Sequence, residues 1–98
     1  MIHLKERFKK YSDDFLKFND IAAQLHRRPD MCAFMLLDSV LPSPSAARKM
    51  ISAAEHGIIY LDINIKKLGE IITDDQVLYL VRCGVMYDDA FECLSMFV

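Results

Sequence analysis

Residues 42–46 read Pro42-Ser43-Pro44-Ser45-Ala46 and lie between two long apolar patterns. Proline cannot continue a helix, and the residue before it is pushed out of the α region. Ser43 can cap a following helix whose first position is Pro44, where a missing N–H costs nothing. The chain therefore turns here, and the segments on either side are expected to pack against each other.

Before the break, Leu4, Phe8, Tyr11, Phe15, Phe18, Ala22 and Leu25 recur at alternating spacings of four and three, the stripe of one helix face. This seam ends near His26-Arg27-Arg28-Pro29. Pro29-Asp30 can open a second helix through Cys32, Met35, Leu36 and Val40, with an acid in its first turn to suit the helix dipole. After the break, Ala47, Met50, Ile51, Ala54, Ile58, Leu61, Ile65 and Leu68 fall on one face of a third helix, with Gly57 in its middle. Residues 57–65 are rich in β-branched side chains and suit a strand by composition; the longer helical period favours helix.

Gly69 reads as a helix stop. Thr73-Asp74-Asp75-Gln76 is a capping box before Val77, Leu78, Leu80 and Val81, and Gly84 ends that short helix. Asp89-Ala90-Phe91-Glu92 is expected to cap a last helix through Leu94 to Phe97. The expected fold is all-α: a hairpin of long amphipathic helices plus a short C-terminal helical pair. It forms one domain over residues 1–98, with the hairpin in 1–68 and an acidic helical appendage in 69–98.

Composition narrows the function classes. Apolar residues make up 53% of the 98, and no run is long enough to span a membrane. So small and apolar a domain is expected to cover part of its surface with further copies of itself. Cys32, Cys83 and Cys93 lack paired spacing, and with His3, His26 and His56 they make no zinc pattern, so neither metal nor cofactor is expected. Unpaired cysteines suit a reducing, cytoplasmic setting.

Net charge is −2 but uneven. Residues 1–67 hold eleven Lys/Arg against eight Asp/Glu, whereas 68–98 hold Arg82 alone against six acids. The first part is expected to meet anions. Two short helices around Gly84 suggest a helix-turn-helix, but Asp88, Asp89 and Glu92 have the wrong sign for duplex nucleic acid. Asp74-Asp75 and Asp88-Asp89 are explained by capping, and no nucleophile with a base and an orienting third group is present, so no catalysis is expected. Anion binding has better candidates. Lys10 precedes Tyr11, Arg27 and Arg28 close the first helix, and Lys66 and Lys67 lie near the end of the third. Arginine forks onto phosphate while an aromatic ring stacks on a base.

Several short motifs share an order with one known family. They are Phe8-Lys9-Lys10-Tyr11, Leu25-His26-Arg27-Arg28, Asp38-Ser39-Val40-Leu41-Pro42-Ser43, and Glu55-His56-Gly57-Ile58-Ile59-Tyr60-Leu61-Asp62 closing on Ile65-Lys66-Lys67. Over residues 8–67 the chain resembles the anti-CBASS sponges, small phage proteins that sequester cyclic oligonucleotide signals, whose helical hairpin is shared with an anti-Thoeris sponge. Residues 68–98 have no counterpart in it. The resemblance implies a non-catalytic protein that binds cyclic di- or tri-nucleotides between protomers of a symmetric oligomer, such as a hexamer, in the cytoplasm of an infected bacterium. Tyr11 would stack on a purine, Arg28 would meet a phosphate, and Lys67 would line a second anion pocket. The alternative is a small inhibitor that docks on a host or defence protein through its acidic C-terminal face.

Overall fold

The structure, a computed structural model, describes residues 4–21, 24–42 and 50–97. It is a mixed α/β fold and not the all-α hairpin expected from the periodicity. Helices α1 (Leu4–Lys10), α2 (Pro29–Val40), α3 (Ile65–Ile71) and α4 (Asp74–Arg82) accompany a four-stranded sheet. The strands are β1 (Ile51–Glu55), β2 (Ile58–Leu61), β3 (Val85–Asp88) and β4 (Cys93–Phe97). Their spatial order is β1-β2-β4-β3, antiparallel throughout.

The expected first helix is cut short. α1 stops at Lys10, and the chain continues through 3-10 turns at Ser12–Asp14 and Phe18–Asp20. The seam still points inward over most of its length: Leu4 and Phe8 are buried, and Tyr11, Phe15 and Phe18 pack against the core. Leu25 is 51% exposed, and Ala22 lies outside the described residues. The second helix forms where expected, with Pro29 in its first turn and its end at Val40, just before Pro42. The remainder of the Pro42–Ala46 break, with Ala47, lies outside the described residues.

The expected third helix is replaced by the β1–β2 hairpin followed by α3. His56 (φ 53°) and Gly57 (φ 76°) form a two-residue turn with both φ values positive, as a mirror-image type I′ turn requires. Glu55 then pairs with Ile58 and Ala54 with Ile59. Ile59 and Leu61 alternate inward, the period-2 pattern of a half-buried strand. Gly69 is inside α3, which stops at Ile71. α4 carries the expected capping box: the Thr73 hydroxyl accepts from the Gln76 amide at 3.2 Å, and the Gln76 side chain accepts from the Thr73 amide at 2.9 Å. Gly84 (φ 96°) ends it, and a Cβ there would lie 2.6 Å from the Leu16 side chain. The expected last helix is instead a turn leading into β4, with Glu92 in the left-handed region (φ 48°) and Asp88 Oδ1 accepting from the Phe91 amide.

Register assigns the two faces of the sheet. Val85, Met96 and Ile59 stand in one row, joined by Leu94 and Leu61, and all are buried against the helices. Met86, Ser95 and Tyr60 form the opposite row. There Phe91 meets Tyr60 edge-to-face at 5.1 Å. α4 is the hub of the helical layer, touching α1, α2 and β3, with Val77, Leu80 and Val81 buried.

Two glycine substitutions test this arrangement in opposite directions. A Cβ on Gly69 would make an ordinary 3.7 Å contact with Leu4, so Gly69→Ala should raise stability by about 0.5–1 kcal/mol by removing a flexible helix residue. A Cβ on Gly57 meets no atom, but its positive φ makes Gly57→Ala destabilising by about 1 kcal/mol. A helix through residue 57 would reverse the second sign. Thermal unfolding of both variants decides it.

Candidate functional site

A groove of about 480 Å³ opens between α1 and β3. On a helix, residues three and four apart share a face. α1 and the turn after it thereby put Lys5, Phe8, Lys9 and Ser12 along one wall. Val85, Met86, Tyr87 and Asp89 form the facing wall, with Val81 and Phe15 also lining the space. Apolar and aromatic side chains make most of the lining, and the polar groups are a few convergent ones, the usual composition of a small-molecule site.

Arg7 fixes the position of α1. Its guanidinium donates to the Gly69 carbonyl at 3.1 Å, to the Ile72 carbonyl at 2.7 Å and to Asp74 Oδ1 at 3.1 Å. One side chain thus satisfies carbonyls at the end of α3 and joins α1 to the start of α4. The helix cannot turn about its own axis without breaking these bonds, so its lysine face stays toward β3.

The groove's charges are not equivalent. Lys5 Nζ sits 2.8 Å from Asp89 Oδ1, which holds its ammonium above the usual range. Lys9 has no such partner among the described residues. The Tyr87 phenol is pushed up, first by burial and then by the nearby Glu92 and Asp89 carboxylates. It therefore stays a neutral donor near pH 7. Lys9, Ser12 and Tyr87 offer donors to an anion, beside the half-buried ring of Phe15.

The residues expected to bind anions lie elsewhere. Tyr11 follows α1, half-buried against the core, with the Lys10 ammonium 5.4 Å from its ring centroid. Arg27 and Arg28 are exposed at the bend before α2. That bend is pinned from both sides: the His26 amide donates to Cys32 Sγ, and the Leu25 amide donates to the Tyr79 hydroxyl. Lys66 and Lys67 are exposed in the first turn of α3, and the Lys67 amide donates to the Asn64 cap. None of the six lines the groove, and beyond the Lys10–Tyr11 contact no interaction among the described residues joins them. Lys5, Lys9 and Ser12 could have been found from their spacing on α1. Tyr87 and Asp89 had no sequence signal, because the segment they occupy was expected to be helical.

Among the described residues no three His, Cys, Asp or Glu side chains converge as metal ligands, and no helix is long and apolar enough to cross a membrane. No protein-family model matches the sequence, and neither a curated protein nor a solved structure does.

Two predictions follow from the anchoring groups. Arg7→Ala strips carbonyl partners and should cost about 1.5–3 kcal/mol per charged hydrogen bond that water does not replace, read by chemical denaturation. The second concerns alkaline pH. Burial, reinforced by the neighbouring Cys32, pushes the Cys83 thiol up from 9.0 to about 12. Burial and a hydrogen bond with Cys32 push the Tyr79 phenol up from 10.0 to about 12, against a lowering by its bond to the Leu25 amide. The native state prefers the protonated forms of both. Their stabilisation is complete below pH 9 and is lost as pH climbs from 9.0 toward about 12. Melting temperature should fall across that window, and Cys83→Ala should flatten the lower part of the decline.

Proposed function

We propose that this chain is a non-catalytic binding protein for a small, flat anion of the nucleotide class, held in the groove between α1 and β3. The observation that carries this reading is the pairing of Lys9, a cation without a carboxylate partner among the described residues, with the half-buried rings of Phe15 and Tyr87 around one cavity of about 480 Å³, whose floor includes the buried Phe8. Aromatic walls stack on a base at about 1–3 kcal/mol each, and the lysine supplies a point charge for a phosphate. The lining has no histidine or cysteine, which suits holding a ligand more than transforming it. Cyclic nucleotide signals belong to this ligand class. The support for them is now the chemistry of the groove, since the helical hairpin is not formed.

Docking on a protein through the acids of residues 70–92 is less well supported. Asp74 is bonded to Arg7 and Asp89 to Lys5, so these carboxylates are engaged within the molecule.

Thermal shift with adenosine monophosphate, a panel of cyclic mono- and dinucleotides, and inorganic phosphate tests the reading. A ligand at a hundred times its Kd adds about 2.7 kcal/mol of stability. Lys9→Glu should abolish the shift, and Tyr87→Phe should weaken it. Tyr11→Ala and Arg28→Glu should leave it intact. If those last two variants lose binding while Lys9→Glu retains it, the site is at Tyr11 and Arg28, and the groove reading fails. No shift with any compound removes the ligand class.

A further inference from the structure

The two edges of the sheet differ. β3 is flanked by α1 and closed by the Lys5–Asp89 ion pair. β1 is bare. All five of its residues are exposed, and among the described residues it pairs with β2 alone. It contains no proline, lysine or arginine, the residues that usually blunt a free edge. Its protective devices are the Glu55 carboxylate at the turn end and a bulge between Ile51 and Ala53, where the Ser52 hydroxyl donates to the Tyr60 carbonyl at 3.2 Å.

The tight turn at His56–Gly57 determines which backbone groups are available. Glu55 and Ile58 flank it as a hydrogen-bonded pair, so alternation directs the Ala54 amide and carbonyl away from β2. Among the described residues Ala54 has no further hydrogen-bond partner. An unpaired edge seeks another strand.

We propose that β1 pairs with β1 of a second copy of this chain, antiparallel about a two-fold axis through Ala53, to make one eight-stranded sheet. In this register the residues around the axis, Ser52, Ala53 and Ala54, are small and uncharged. Ala53 faces Ala53, which brings only methyl groups together at the axis. Ser52 faces Ala54 of the second copy, so the outward Ala54 groups meet a backbone. Ile51, 40% exposed in the single chain, faces Glu55, and the two glutamates are kept apart. Ile51 lies beyond the bulge, so the pairing rests on residues 52–54; a shift toward the turn would place a strand residue opposite His56 or Gly57, which have positive φ. The pairing does not depend on the ligand reading, because neither β1 nor β2 lines the groove.

Charge exchange at the axis tests the proposal. Ala53 is exposed, so Ala53→Lys and Ala53→Glu should keep the fold, checked by circular dichroism. Sedimentation equilibrium should give a dimer for the natural chain. Each variant alone puts like charges face to face and should dimerise about tenfold more weakly or worse. An equimolar mixture of the two should recover a heterodimer. A natural chain that stays monomeric at millimolar concentration overturns the proposal. So does an Ala53→Lys variant that dimerises as tightly as the natural chain, since the dimer would then use another surface.

Discussion

One guanidinium organises the helical layer. Arg7 lies on α1, yet its partners are the Gly69 and Ile72 carbonyls and the Asp74 carboxylate, more than sixty positions away in sequence. The end of α3 has backbone acceptors that its own helix cannot satisfy. Arg7 fills them with a planar fork that lysine could not reproduce. Because α4 begins at Asp74, the same contact ties α1 to the start of the hub helix, which the Thr73–Gln76 capping box sets. The burial of Val77, Leu80 and Val81 then follows from the amphipathic pattern of α4. The orientation of Lys5 and Lys9 toward β3 is a by-product of that anchoring.

The groove shows how a short helix and a sheet edge divide the work of a site. α1 supplies cations and a hydroxyl at helical spacing. β3 supplies a phenol and apolar surface at strand spacing, and Asp89 fixes one of the two lysines. A salt bridge this exposed contributes little to stability. Its effect is to leave Lys9 as the groove lysine without an ion-pair partner among the described residues, so that two lysines a turn apart have different roles.

The sequence disclosed the local structure best where a single chemical device determined it. Pro29 opened α2, and Thr73 with Gln76 opened α4, because caps act within one turn. It failed where two periods coincide. Ile51, Ala54, Ile58 and Leu61 stand three and four apart, which satisfies a helix as well as it satisfies a hairpin with a bulge at Ser52. The deciding residue was His56, whose positive φ is not written in its side chain; Gly57 beside it was the visible half of the turn. Glu92 hid the second hairpin in the same way. The apolar seam from Leu4 to Phe18 was read correctly as core-facing, but its helix ended at Lys10 because the 3-10 turns keep the aromatic side chains inward without a continuous helix. For the site, the basic and aromatic residue types were legible, while the residues opposite them were not, since Tyr87 and Lys9 come to line one groove only through long-range packing.

The order of strands in space has a consequence for how the chain assembles. β2 and β4 are the central pair, yet helices α3 and α4 and strand β3 separate them along the sequence. The first hairpin holds both of its strands within residues 51–61, but a two-stranded hairpin alone is marginal in water, and the middle of the sheet must wait for residues 93–97. Until then Ile59 and Leu61 have no neighbouring strand on one side, and the nascent hairpin presents two sticky margins instead of one. Loop closure across that distance slows maturation. A chain stalled or clipped before Cys93 would be prone to aggregate, which makes the last few residues guardians of solubility as much as parts of the core.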